Sequence, residues 1–231
     1  MDQQLVFGLV ACAIMLLLGF PVHEYMHAYA AYRLGDSTAR YRGRLTLNPL
    51  VHFDQVGGIL LLASAVLTNG AAFFGFAKPT PVNPMNLRGG RHGEAVVAAA
   101  GPLSNLVMGA IVAIPLRLVD GSPDLVQQIG TSAPLGAVYD IAVFFVLINV
   151  FLFIFNLLPL PPLDGFSVLV GIVDPRTAWQ LRQFVQQYGQ YIPIVFLLFI
   201  FLLAPRILGP LGSGLYSFLV GSGPALFRVT F

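Results

Sequence analysis

The chain of 231 residues is 57% hydrophobic and only 10% charged, with a formal net charge of +2. Soluble domains carry about 25% charged residues, so this composition, with a mean hydropathy of +0.80, excludes an ordinary soluble domain and points to a polytopic membrane protein. The small net charge gives no reason to expect a nucleic-acid partner, and the single cysteine, Cys12, excludes an intrachain disulfide or a cysteine zinc cluster.

The first uncharged run, Leu5–Val22, is long enough to cross most of a bilayer's hydrocarbon. Ala28-Tyr29-Ala30 resembles a signal-peptide cleavage site, but the preceding segment holds Asp2 and no Lys or Arg where a secretory signal needs positive charge. The run therefore reads as a retained span. It ends in His23-Glu24-Tyr25-Met26-His27. On a helix, H-E-x-x-H places two imidazoles one turn apart on one face, where both can bind a single Zn²⁺, with the Glu beside the metal as a general base. Ionisable groups at membrane depth are costly enough to be read as functional. The pentapeptide thus implies metalloprotease chemistry inside a membrane.

Next comes Thr38–Asn48, whose alternating Arg and apolar positions predict a short strand or hairpin. Further uncharged windows follow at Val56–Ala77, Ala95–Leu116, Ile141–Leu163 and Gln183–Ala204. A sixth, Ile207–Phe227, is rich in Gly and Pro and is expected at the interface or only partly inserted. Basic residues set orientation. Arg33, Arg40, Arg42 and Arg44 follow the first span, which puts the N-terminus outside. Lys78, Arg88, Arg91, Arg176 and Arg182 join them inside if Val56–Ala77 dips in and returns, with a turn at Thr68-Asn69-Gly70. A tilted crossing of that window is the alternative. The Pro- and Asn-rich Phe73–Leu87 cannot be a regular helix and is expected to be extended, able to pair edge-on with an unwound substrate.

A catalytic zinc needs a third protein ligand and an open position. His52 and His92 are placed at the interface, and Glu94 at a helix start, where a carboxylate suits the dipole. Asp164 follows an uncharged stretch and Pro159, Pro161 and Pro162, which must end the helix before it. It can cap the next helix, or it can complete a His₂Asp site on the same side of the membrane as His23 and His27. No other carboxylate fits as well. The expected fold is mainly α: a polytopic transmembrane helical bundle with a small β-hairpin and re-entrant element near a buried metal site. Residues 1–174 form the core, and 175–231 a C-terminal span with an interfacial or partly inserted segment.

HEYMH, GPLSN (Gly101–Asn105) and NLLPLPPLDG (Asn156–Gly165), in that order, resemble the site-2 protease family of intramembrane zinc metalloproteases. RLTLNPLVHFDQVGG and FGFAKPTPVNPMNLR are similar to its prokaryotic branch, and the resemblance runs from about Leu5 to Gly171. It implies one zinc per chain on His23, His27 and Asp164, with Glu24 activating the water. It also implies an active-site role for Asn156, in holding substrate or stabilising the oxyanion, and associates Asn105 with the site. Ala98, Ala99, Gly101 and Ser104 beside Asn105 equally suit close helix packing. The implied substrates are membrane proteins with a transmembrane helix, cut within the lipid bilayer of the cell membrane in regulated intramembrane proteolysis. The active site would lie toward the cytoplasmic half. The inserted PDZ-type and following CBS-type domains of other relatives are not expected. A non-proteolytic membrane protein binding metal or helices on the same scaffold is the competing reading, as is a membrane protease with Glu94 as third ligand.

Overall fold

Pro21 shapes the first rod. In a computed structural model describing residues 3–70 and 74–221, α1 (Gln3–Ile14), a π turn (Met15–Gly19) and α2 (Phe20–Arg33) follow one another without a break. Pro21 has no N–H to give the Leu17 carbonyl, and the widened π turn absorbs the missing bond immediately before His23. Short helices α3 (Thr38–Tyr41) and α4 (Pro49–His52) lead to α5 (Gln55–Leu67). Then come α6 (Gly90–Asp120), α7 (Pro123–Thr131), α8 (Ala133–Asn156) and α9 (Asp164–Ile172). The chain ends with α10 (Pro175–Tyr188), α11 (Ile192–Leu202) and α12 (Ala204–Val220).

Among the described residues, three stretches are long and apolar enough to cross a membrane: Leu5–Arg33, Gly90–Asp120 and Ala133–Asn156. At 1.5 Å per residue the 31-residue α6 extends about 46 Å, beyond the ~30 Å hydrocarbon core. It is the central element, packed against α2, α8 and α9. Val107, Ile111, Ile114 and Leu118 form an exposed apolar stripe along it, a face suited to lipid rather than water. One core cluster joins α1, α5 and α8 through Cys12, Leu61 and Ile148. Another joins α6, α8 and α12 through Ala113, Val146 and Val220.

The window Val56–Ala77 is not one spanning helix. The 13 residues of α5 reach only about 20 Å. Asn69, at φ 52°, turns the chain, and after residues 71–73, which lie outside the described region, the backbone comes back along the same helix. Phe74 N donates to Ser64 Oγ at 2.8 Å, and Lys78 N to His52 O at 2.9 Å, so the return ends beside the start of α5. Gly57 allows this approach, since a Cβ there would collide with Phe76 O.

Two expectations are corrected. Among the described residues there is no strand, so the β-hairpin at Thr38–Asn48 is absent. Asp36 instead accepts from Thr38 N and Thr38 Oγ1 and starts the single turn of α3, while Arg44 turns inward to donate to Val51 O at 2.7 Å. Residues 74–83 are in neither helix nor strand. The window Gln183–Ala204 is also broken: a 3₁₀ turn at Gly189–Tyr191 separates amphipathic α10 from the 11 residues of α11. Ile207–Phe227 is a helix as far as Val220, with Pro210 inside it, and its remainder from residue 222 lies outside the described region.

Asp36 is fully buried and fastens the segment before α6 to the end of α2. It accepts from Asn83 N at 2.7 Å and Asn86 Nδ2 at 3.1 Å as well as from Thr38. Burial works to raise its carboxyl, but the hydrogen bonds from Thr38, Asn83 and Asn86 outweigh it and hold the group below the usual carboxylate range. Asp36→Ala should therefore destabilise the protein by about 1–3 kcal/mol at neutral pH, measured by melting in detergent. Because the folded value is depressed, the stabilisation is complete above the unfolded value of about 3.9 and fades as pH falls through the folded value. The melting curves of wild type and variant should thus converge on acidification below about pH 4. A gap independent of pH would rule out the carboxylate as its source.

Candidate metal centre

The π turn and α2 deliver His23 and His27 to the face that packs on α6, and both are buried. Asp164 comes from the other flank of α6, at the first residue of α9. The prolines after Asn156 end α8 and loop the chain back, and Gly165 lets α9 start hard against the carbonyls of Leu157 and Leu158. The residue capping α9 is Leu163, with no side-chain hydrogen bond. The Asp164 carboxylate is not spent on capping and faces the histidines.

The convergence is tight. His23 Nε2 lies 3.0 Å from His27 Nε2, and Asp164 Oδ2 lies 3.1 Å from His23 Nε2 and 3.2 Å from His27 Nε2. Hydrogen bonds behind the rings decide which nitrogens carry hydrogen. His27 Nδ1 is 2.8 Å from Val97 O, which can only accept, so Nδ1 carries a hydrogen and, in the neutral ring, Nε2 is left with the lone pair. His23 Nδ1 is 2.6 Å from Asn105 Oδ1, an acceptor, with the same result. With both rings neutral, two imidazole lone pairs and a carboxylate oxygen face one another. That donor set is stable only with a proton or a metal cation among its members. Zn–N and Zn–O bonds of about 2.0–2.2 Å on a tetrahedron would put neighbouring ligands about 3.3–3.6 Å apart, slightly wider than the observed 3.0–3.2 Å. Gly101 makes room: a Cβ there would lie 2.7 Å from His23 Nε2 and closer still to His27 Nε2.

These residues line a cavity of about 530 Å³ shared with Glu24, Thr80, Asn156 and Phe196. Thr80, on the returning segment, donates its N–H to Glu24 Oε2 at 2.7 Å and its hydroxyl to Glu24 O at 2.9 Å, gripping the residue twice. Asn156 is on the cavity wall and donates to Leu152 O at 2.9 Å. Asn105 is fully buried behind His23 rather than on that wall. Glu94 lies at the cavity edge, where Arg182 Nη2 is 2.6 Å from its Oε2, and it is outside the three-ligand cluster. His92 is exposed. His52, expected at the interface, is buried and bonded to Thr46 O at 2.8 Å, away from the cluster. Sequence reasoning did not find Thr80, which carries no local signal, or Asn149, which bonds Asn105 Nδ2 at 3.0 Å. A polar residue inside an apolar window was the available clue to Asn149.

Comparison with known proteins finds relatives described as zinc metalloproteases. YwhC of Bacillus subtilis (strain 168), described as a candidate zinc metalloprotease, is 38% identical over 86% of this chain and 84% of its own length. Rip2 of Mycolicibacterium smegmatis, described likewise, is 31% identical over 79% of this chain and 64% of its own length. Rip2 of Mycobacterium tuberculosis (strain H37Rv) is 28% identical over 84% of this chain and 66% of its own length. No solved structure gives a significant match. The model of peptidase family M50 matches residues 11–200, which hold all three converging ligands and Glu24. The chain belongs to peptidase family M50, the site-2 protease family.

Proposed function

We propose that this chain is an intramembrane zinc metalloprotease that hydrolyses peptide bonds in or near transmembrane segments of membrane proteins. The observation that carries the reading is the meeting of His23, His27 and Asp164 beside Glu24, in a cavity bordered by membrane-length helices. A zinc ion held by the three ligands supplies Lewis acidity that polarises a peptide carbonyl and acidifies water. Glu24, held at the cavity by Thr80, takes the proton of the attacking water and returns it to the leaving amine. An amide has two N–H groups, so the bond from Asn156 to Leu152 O leaves one for a substrate oxyanion. A helical substrate hides its amides, so the scissile stretch must unwind, and residues 74–83, in neither helix nor strand, offer backbone to hold it.

Orientation follows from the basic residues. Arg88 donates to Arg33 O, Arg91 to Val173 O, and Arg182 pairs with Glu94, which gathers these cations at the end of the bundle where α2 finishes and α6 starts. That end is the cytoplasmic one in this reading, with the metal centre a few turns in. The test is cleavage of a single-span membrane substrate by the purified protein in liposomes. A zinc chelator should stop the reaction and added zinc restore it. Cleavage untouched by chelation, or none with any single-span substrate that accumulates in membranes of cells lacking the activity, would refute the proposal.

A further inference from the structure

Asn149 is fully buried in the middle of α8, between Ile148 and Val150. A polar side chain at that depth is costly and needs a reason. Its amide nitrogen donates to Phe145 O at 2.9 Å on its own helix. A backbone carbonyl can only accept, so this bond fixes which way the amide faces. Asn149 Oδ1 is thereby turned across to α6, where it accepts from Asn105 Nδ2 at 3.0 Å. Asn105, also fully buried, has a second and longer bond from Nδ2 to Gly19 O at 3.4 Å. With its nitrogen committed, Asn105 can present only oxygen to His23 Nδ1, 2.6 Å away. One turn further along α6, Gly109 removes the side chain that would hold the helices apart, since a Cβ there would already lie 3.4 Å from Asn149 Cβ.

The bonds thus donate in one direction, from an imidazole through two amides to the Phe145 carbonyl. We propose that Asn149 is a positioning residue for the metal centre: through Asn105 it fixes the hydrogen on His23 Nδ1 and keeps Nε2 free as a ligand. This rests on the metalloprotease reading of the site. Asparagine amides have nearly the same shape in either orientation. Without Asn149, Asn105 is restrained chiefly by the long contact to Gly19 O, and a reversed amide would offer N–H to His23 Nδ1. The ring would then carry its hydrogen on Nε2, where the metal should be. Hydrogen bonds behind a ligating histidine are worth about 10–100-fold in metal affinity.

The test is zinc affinity of purified protein in detergent, by competition with a chromophoric chelator, with melting of the metal-free protein recorded alongside. Asn149→Leu, an apolar change suited to a membrane helix, should weaken zinc by about 10–100-fold. A carboxylate has no wrong orientation, so Asn105→Asp should make Asn149 dispensable. The double variant Asn105→Asp, Asn149→Leu should bind zinc within a few-fold of the Asn105→Asp single variant. Unchanged zinc affinity in Asn149→Leu overturns the proposal. So does an equal loss on adding Asn149→Leu to Asn105→Asp, because a purely structural contact between α6 and α8 would behave that way. Nitrogen-15 shifts of His23 in the metal-free wild type add a reading that needs no variant: hydrogen on Nδ1 supports the relay, and hydrogen on Nε2 overturns it. If the wild type binds no zinc while Nδ1 carries the hydrogen, the metalloprotease reading fails and the hydrogen-bond chain stands.

Discussion

Glu24→Gln should keep zinc at wild-type stoichiometry and cut about 10²–10⁴-fold more slowly, the usual worth of a positioned general base. The substitution is close to isosteric. Gln keeps an oxygen for the Thr80 N–H, and the Thr80 hydroxyl binds the main-chain carbonyl, which does not change. Glu24 is not one of the three converging ligands, so the metal does not depend on it. What disappears is the ability to take a proton. Initial rates on a liposome substrate, paired with metal analysis of the same preparation, separate chemistry from metal loss. A variant that cleaves at the wild-type rate would assign the base elsewhere. One that loses zinc would mean Glu24 helps to build the site rather than to run it.

The second large effect is expected at a residue with no side chain. Gly101→Ala places a methyl against Nε2 of both His27 and His23, the nitrogens that would hold zinc on the proposed function. The rings cannot back away, because Val97 O and Asn105 hold them from behind. Zinc affinity should fall by more than the about 10–100-fold lost with an outer hydrogen bond, and activity with it. Gly130→Ala is the control, since its added methyl meets nothing within 4 Å. If Gly101→Ala binds zinc as well as this control, α2 and α6 do not approach as closely as described.

Much of the centre was legible because charge is scarce. In a chain that is 10% charged, an H-E-x-x-H at the end of an apolar run has few competitors. Asp164 stood out in the same way, and only its alternative as a helix cap needed the structure, where Leu163 holds that position. Neutral polar residues leave a fainter trace. Asn149 does not interrupt a hydropathy window, and its meaning depends on how α8 is rotated against α6. Thr80 touches Glu24 only because the chain turns back along α5, and nothing local encodes that path. The misread elements have physical causes too. Alternation over a few residues fits one helical turn and a loop as well as a strand, and Arg44 satisfied the pattern by burying its guanidinium against carbonyls. In Gln183–Ala204 absence of charge is not apolarity: Gln183, Gln186, Gln187 and Gln190 are polar, Gly189 opens the 3₁₀ turn, and Pro193 lies in the first turn of α11.

The ligands come from opposite flanks of α6, and His23 and Asp164 are 141 positions apart in the chain. In a chain made from its N-terminus, the H-E-x-x-H segment is complete long before Asp164 is added. Until Asp164 is added the chain holds Glu24 and two imidazoles but only part of the three-residue cluster. Metal bound across α2 and α9 would favour only the assembled form and raise its stability by mass action. On the proposed function, competence to cut and completion of the bundle would then arrive as one event.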